Sequence, residues 1–452
     1  MTTALDSAIF GPLFTDAEIS ALLTDDAYLR AMVAVEIALA RTEARLGIIP
    51  STAAEQITRA VQANKIDISA LTKGTMRSGF PIIALVQELR TMAGPQGGAY
   101  LHWGATTQDI MDTASVLQLR AVAKILASRL AELADQLKRL ADRHRKTVMA
   151  GRTHGQQALP VSFGLKLANW VVPLVRHAER LKEIVPRLLV VQFGGAAGTL
   201  AALGDQGLAV MQALADELDL AVPVMPWHVQ RDGFVEFAGW LSLVTGSLAK
   251  MALDIILLAE TEIGEVSESA EEGRGGSSTM PQKRNPITSE LILAAARTNA
   301  SLLSAMHNAQ IQEHERATHG WQVEWLTLPQ MVLLTSGALK HAIYLAKNLQ
   351  VDEAQMRKNI SWANDVILGE AAVFALAKVM DRAKADELVK KATAVASSEG
   401  KPLIDVVKSS TIGMIPAEAI DWQALASPEN YLGSTEAIIE RVLQYATKLS
   451  PS

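Results

Sequence analysis

Apolar positions recur along this chain with the period of an α-helix. Leu126, Leu130, Leu133, Leu137 and Leu140 are spaced four, three, four and three apart, which places them on one stripe of a helix running from about Gln108 to His144. Similar segments run from Val161 to about Leu189, from Asp232 to about Val266, from after Pro286 to about Ala309, and from about Pro329 to Asn348. The third would be roughly 50 Å long at 1.5 Å per residue. Alternation with a period of two is nearly absent. Helices of this length bury their stripes along one another, so an up-and-down bundle is expected.

Shorter helical pieces flank the bundle. Breaks at Gly47–Pro50, Gly79–Pro81 and Gly94–Gly98 divide the N-terminal part, and breaks at Gly400–Pro402 and Gly413–Pro416 divide the C-terminal part. The fold class is therefore all-α, with three helical domains expected at residues 1–102, 103–350 and 351–452. Ala238, Leu241, Leu243, Val244, Leu248, Ala252, Ile255 and Ile256 cover more than one face of their helix. A helix apolar all round needs cover on every side. Further copies of the chain supply it in a homo-oligomer; the chain's own terminal domains are the alternative.

Composition narrows the class. Of 452 residues, 49% are apolar and 20% charged, and the net charge is −6, which favours a soluble globular protein and gives no basic face for nucleic acid. The chain has no cysteine, which excludes disulfides, thiolate metal sites and cysteine nucleophiles. Met1 to Phe14 lacks a basic segment leading into an apolar one, so no signal peptide is expected. Lys250, Asp254 and Glu260 interrupt the most membrane-like run, Leu241–Glu260, which reads as a buried helix. A cytoplasmic location without membrane attachment is the expectation.

Five polar or glycine-rich stretches break the helical rhythm: HWGATTQD (102–109), GRTHGQQ (151–157), QFGGAAG (192–198), WHVQRDGFVE (227–236) and GRGGSSTMPQKRNP (273–286). Polar clusters at helix ends can converge into one site. Thr106 and Thr107 offer hydroxyls at a helix start, either as plain caps or as anion binders. His154 is either a structural hydrogen-bonder or a proton carrier. Arg231 is either part of a helix start or a two-pronged carboxylate clamp. The nine histidines include no H-E-x-x-H pair, and no metal site is expected. The last stretch fails the phosphate-loop pattern. Gly275 and Gly276 allow close backbone approach, and Ser277, Ser278, Lys283 and Asn285 supply hydroxyls and donors suited to an anion that gains charge during reaction.

GGSSTMPQKRNP resembles the signature loop of the fumarase/aspartase superfamily, G-S-S-x-M-P-x-K-x-N-P, and the other stretches resemble further site regions in the same order, from about Phe14 to Gly433. QFGGAAGTLAALGDQG, WHVQRDGFVEFA, QEHERATHGWQVEW and YLG are most similar to bacterial 3-carboxy-cis,cis-muconate cycloisomerases, with adenylosuccinate lyases next. The resemblance implies three helical domains, a homotetramer with sites each shared between three subunits, and anti β-elimination on a small dicarboxylate or tricarboxylate without cofactor or metal. It implies that Ser277 is the general base. It makes Lys283 and Asn285 binders of the substrate carboxylate and intermediate, with Ser278 and Met280 beside them. Thr106, Thr107 and Asp109 match the first site region, Thr153 and His154 the second, and Gln230 and Arg231 a stretch near the site.

Cycloisomerases of this branch typically carry tryptophan at the position of His154 and commonly lack an acid at that of Glu290. Fumarases and many C–N lyases keep the histidine and the acid as a pair. The expectation is therefore a fumarate-releasing elimination, with His154 and Glu290 serving the leaving atom. Lactonisation of 3-carboxymuconate is the alternative, and a non-catalytic protein retaining the fold is the alternative of another class. Thr107 and Gln282 depart from the commoner serine and histidine.

Overall fold

The computed structural model describes residues 3–63, 65–269, 275–276, 280 and 283–449. It is overwhelmingly helical, and its strands are limited among the described residues to two two-stranded ribbons. The principal helices are α1 (Asp25–Arg45), α2 (Thr107–Arg143), α3 (Phe163–Leu188), α4 (Asp232–Leu258), α5 (Ile287–Ala309) and α6 (His319–Asn348). The ribbons are β1 (Val148–Thr153) with β2 (Gln156–Ser162), and β3 (Val266–Ser267) with β4 (Gln350–Val351), both antiparallel.

Of the predicted leucine stripe, Leu126, Leu130, Leu133 and Leu137 are buried and Leu140, near the helix end, is half-buried. Three boundaries differ from the sequence reading. Helix α4, expected to run to about Val266, ends at Leu258, and Val266–Ser267 form β3. Residues 156–162, expected in part as helix, form β2, and α3 starts at Phe163. Helix α6 starts ten residues before Pro329 and carries that proline in its interior. The expected N-terminal breaks occur at left-handed glycines: Gly47, Gly79 and Gly94 have φ of +74°, +80° and +73°.

The chain forms two compact units. The first comprises residues 1–128, 179–246 and 295–338. Its core gathers Met32, Val35, Ile57, Leu85, Leu89, Ile110, Ala114 and Trp321. The second comprises residues 129–178, 247–294 and 339–452, with a core of Val148, Ile360, Leu368, Leu376, Val389, Leu403 and Val407.

Helix α4 is long and apolar enough to cross a membrane by length and composition. Phe237, Ala238, Leu241, Val244, Leu248, Met251, Ala252 and Ile255 are buried within the fold, as a core helix requires. Leu243, Leu253 and Leu257 on the same helix stay exposed, at 52%, 41% and 45%.

Candidate active site

The predicted site residues fall into two sets. Thr106, Thr107, Asp109, Gln230 and Arg231 belong to the first unit. Thr153, His154, Met280, Lys283, Asn285 and Glu290 belong to the second. Ser277 and Ser278 lie outside the described residues.

In the first unit Asp109 is a hub. It stands three residues after Thr106, and its Oδ2 accepts from the Thr106 backbone N–H at 2.9 Å, the reciprocal half of a capping box at the start of α2. The same oxygen accepts from Gly195 N at 2.9 Å. Its Oδ1 accepts from Gly194 N at 2.9 Å and lies 2.7 Å from His228 Nε2. Three stretches far apart in sequence thus meet on one fully buried carboxylate. Glycine at 194 is required there, because a Cβ would come within 2.6 Å of Pro226 and 2.9 Å of the His228 ring. Both oxygens of Asp109, which is expected to bind substrate, are engaged by these protein donors.

Arg231 is likewise engaged within the protein. Its side chain has no solvent exposure. Nη1 and Nη2 donate to the two oxygens of Asp112 at 2.7 and 3.1 Å, and Nε and Nη2 donate to those of Glu324 at 2.8 and 2.5 Å. Trp227 and Phe234 sit against the guanidinium, 4.8 and 5.0 Å from it to their ring centres. Burial works against its charge, but Asp112 and Glu324 outweigh burial and hold its pKa above the ordinary arginine value. The carboxylates that Arg231 clamps are therefore the protein's own. Gln230, beside it, is exposed.

Arg316 is a cation that the sequence reading left unassigned. Its Nη1 donates to the hydroxyl of Thr106 and to the carbonyl of Ala196 at 3.3 Å. It joins the Thr106 hydroxyl to the glycine-rich loop while remaining only partly buried. The available signal was its place in the charged stretch QEHERATHG, just before α6. His102, which opens the HWGATTQD stretch, adopts φ +63° and places Nδ1 2.6 Å from Glu36 Oε1 on α1. Burial lowers its proton affinity, but the Glu36 carboxylate overrides this and raises it.

In the second unit His154 occupies the tip of the β1–β2 hairpin. His154 and Gly155 have φ of +52° and +76°, a two-residue turn with both central residues left-handed, which matches the twist of the strands. Thr153 and His154 are exposed. Arg152 anchors the hairpin: its Nη1 and Nη2 donate to the buried Glu265 carboxylate at 2.9 and 2.6 Å. Glu290 lies in the first turn of α5 and is exposed, as is Lys283. Among the described residues, the side chains of His154, Lys283 and Glu290 make no hydrogen bond or ion pair. The expected pairing of His154 with Glu290 is thus not made within a single chain. Met280 is 42% exposed. The Asn285 N–H donates to the carbonyl of Gly275 at 2.8 Å, and Gly276 bridges Arg284. The arrangement presents a proton carrier, an acid and an ammonium on the surface of this unit. An Arg–Thr donor pair lies on the other unit. Such groups can bind carboxylates and move protons.

Comparison with known proteins agrees with this chemistry. Residues 15–298 match the family model described as Lyase, and residues 365–442 match that of the adenylosuccinate lyase C-terminus. The chain is 44% identical over 438 residues to a 3-carboxy-cis,cis-muconate cycloisomerase of Pseudomonas aeruginosa, covering 96% of this chain and 95% of that one. Among solved structures it is similar to a fumarate lyase from Mesorhizobium sp. BNC1, with a TM-score of 0.89, 42% identity, and 95% and 98% of the two chains covered. It is also similar to the 3-carboxy-cis,cis-muconate lactonizing enzyme from Pseudomonas putida, with a TM-score of 0.92, 39% identity, and 98% and 100% covered. With the signature stretch at 275–286 and these full-length matches, the chain belongs to the fumarase/aspartase superfamily of lyases and is an enzyme of that family.

Proposed function

We propose that this enzyme catalyses a cofactor-independent anti β-elimination from a succinyl or substituted-aspartate compound, releasing fumarate, or the reverse addition. The observation that carries this reading is His154, an exposed imidazole at a hairpin tip, together with the exposed acid Glu290. An imidazole can protonate a departing amine or hydroxyl, whereas the indole expected of a cycloisomerase at this position cannot.

Ser277 takes the proton from the carbon next to a carboxylate. The electrons of that C–H bond form the new C=C bond, and the bond from the β carbon to the leaving atom breaks. His154, paired with Glu290, gives that atom a proton. Charge builds on the carboxylate beside the deprotonated carbon, and Lys283 and Asn285 hold it. Thr106, Thr107 and Arg316 hold the far carboxylate; Arg316 takes the place first expected of Arg231. The enzyme works as a cytoplasmic homotetramer of three-domain chains, divided near residues 102 and 350, with sites shared between subunits. Support comes from the exposed leucines of α4 and from the exposure of His154 and Glu290.

A lactonising cycloisomerase is the second reading, favoured by the 44% identity to the Pseudomonas aeruginosa protein. The deciding experiment incubates the purified enzyme with N-substituted aspartates, other succinyl compounds and 3-carboxy-cis,cis-muconate, following fumarate by ultraviolet absorbance. Fumarate release that His154→Trp and Ser277→Ala each abolish, with helical circular dichroism unchanged, is the expected result. Rapid lactonisation with no succinyl compound cleaved would reverse the ranking.

A further inference from the structure

The geometry points to Glu268 as a positioning residue for the reaction: its carboxylate clasps the start of α5 and so fixes Asn285 and Glu290. It is the residue after β3, and its anchorage is firm. Glu265, three residues earlier, is fully buried and held by Arg152 and by Asn359 Nδ2 at 2.8 Å. Asp352 N donates to the Glu265 carbonyl at 3.0 Å, and β3 pairs with β4.

From this platform the Glu268 side chain reaches across to the far end of the signature stretch. Oε2 accepts from Thr288 N at 3.0 Å. Oε1 accepts from Ser289 N and from Ser289 Oγ, both at 2.8 Å. These backbone groups are orphan donors of the first turn of α5, and Thr288 and Ser289 are buried. A carboxylate there also neutralises the positive end of the helix dipole. A capping residue ordinarily directly precedes its helix. Here the cap comes from about twenty residues upstream, so it ties together the segments that flank the signature stretch.

Two further ties lie within that stretch: Asn285 N to Gly275 O, and the Gly276–Arg284 bridge. Gly275, at φ +68°, allows the first, because a Cβ there would come within 2.6 Å of the Asn285 carbonyl oxygen. Asn285 lies just ahead of the clasped turn and Glu290 just after it. The clasp occupies the helix dipole with protein charge, so the substrate's charge falls to side chains rather than to the end of α5.

This inference rests on the proposed function for its activity readout but not for its structural one. The test compares the full-length enzyme with Glu268→Gln, Glu268→Asp and Ser289→Ala. It follows steady-state kinetics on whichever substrate the wild type turns over, and amide hydrogen exchange across 283–290. Glutamine presents an N–H₂ where the second oxygen accepted, setting donor against donor. For Glu268→Gln, exchange should rise at least about tenfold in 283–290 and stay unchanged in α2 and α3. Its kcat should fall about tenfold or more with KM within about threefold, as displacement of reacting groups does. Glu268→Asp should recover part of the kcat. Ser289→Ala should act weakly and add nothing on the Gln background. If Glu268→Gln does not fold, Glu268→Asp, whose shorter arm weakens the bonds to Thr288 N and Ser289 N, carries the same readouts. Unchanged local exchange, a kcat within twofold of wild type, or a rise in exchange spread over all helices would each overturn the clasp. A wild type inactive on every substrate tried would defeat the functional reading and leave the exchange result to decide the clasp.

Discussion

His228 Nε2 lies 2.7 Å from Asp109 Oδ1 in a fully enclosed site, where the same oxygen also accepts from Gly194 N and the other oxygen accepts from Gly195 N. Asp109→Asn nearly preserves the shape but sets an amide N–H₂ against N–H donors on one side. Donors left unpaired in burial cost about 1–3 kcal/mol each. We expect a loss of about 3–5 kcal/mol in urea unfolding, and loss of activity, because Thr106 and residues 194–195 lose their common anchor.

Arg231→Lys tests whether that arginine meets substrate or only its two buried carboxylates. Lysine keeps the charge but cannot make four directed bonds to Asp112 and Glu324. Disrupting a buried ion network costs about 3–5 kcal/mol. A fall of that order in unfolding free energy is expected. A variant as stable as wild type, altered only in KM, would return Arg231 to the substrate.

Arg316→Gln should behave in the opposite way. Its contacts to Thr106 and Ala196 are at a partly exposed position, so stability should hardly move. A charge-assisted bond to a substrate carboxylate is worth about 1.5–3 kcal/mol, which predicts a fall in kcat/KM of about tenfold to a hundredfold. Substrate titrations of the variant beside wild type would measure it.

Glu43 gives a pH prediction. It is fully buried on α1, neither carboxyl oxygen has a hydrogen-bond partner, and burial, with Glu36 adding repulsion, pushes its pKa up to about 9. An unfolded glutamate releases its proton near 4.5. Between those values the folded chain holds the extra proton, so stability falls as pH rises through the window, by at most about 1.4 kcal/mol per pH unit. Glu43→Gln removes this dependence. Its melting temperature should exceed that of wild type increasingly as pH is raised from about 6 to about 9; parallel curves would refute the assignment.

Much of the fold was legible because long amphipathic stripes dominate it. The predicted limits of α2, about 108–144, fall within one residue of Thr107–Arg143. Pro329 suggests a helix start by its sequence, whereas it lies inside the longer helix α6. The β1–β2 hairpin was missed because QQALPVS is short, carries a proline and alternates poorly. The polar breaks marked the site regions, and yet the partners of Asp109 and Arg231 were invisible. His228 is 119 residues from Asp109, and Glu324 is 93 from Arg231. Sequence identifies a group able to grip a carboxylate but not which carboxylate it grips.

The tip formed by His154 and Gly155 stands apart from these buried networks, held from behind by its two strands, the Arg152–Glu265 pair and the Gln157 bond to the Asn359 carbonyl. Selection for a new leaving group therefore has one place where a side chain can be exchanged without unpicking a shared anchor. Diversification of this enzyme toward other substrates, in nature or in a mutant library, should begin at residues 153–156.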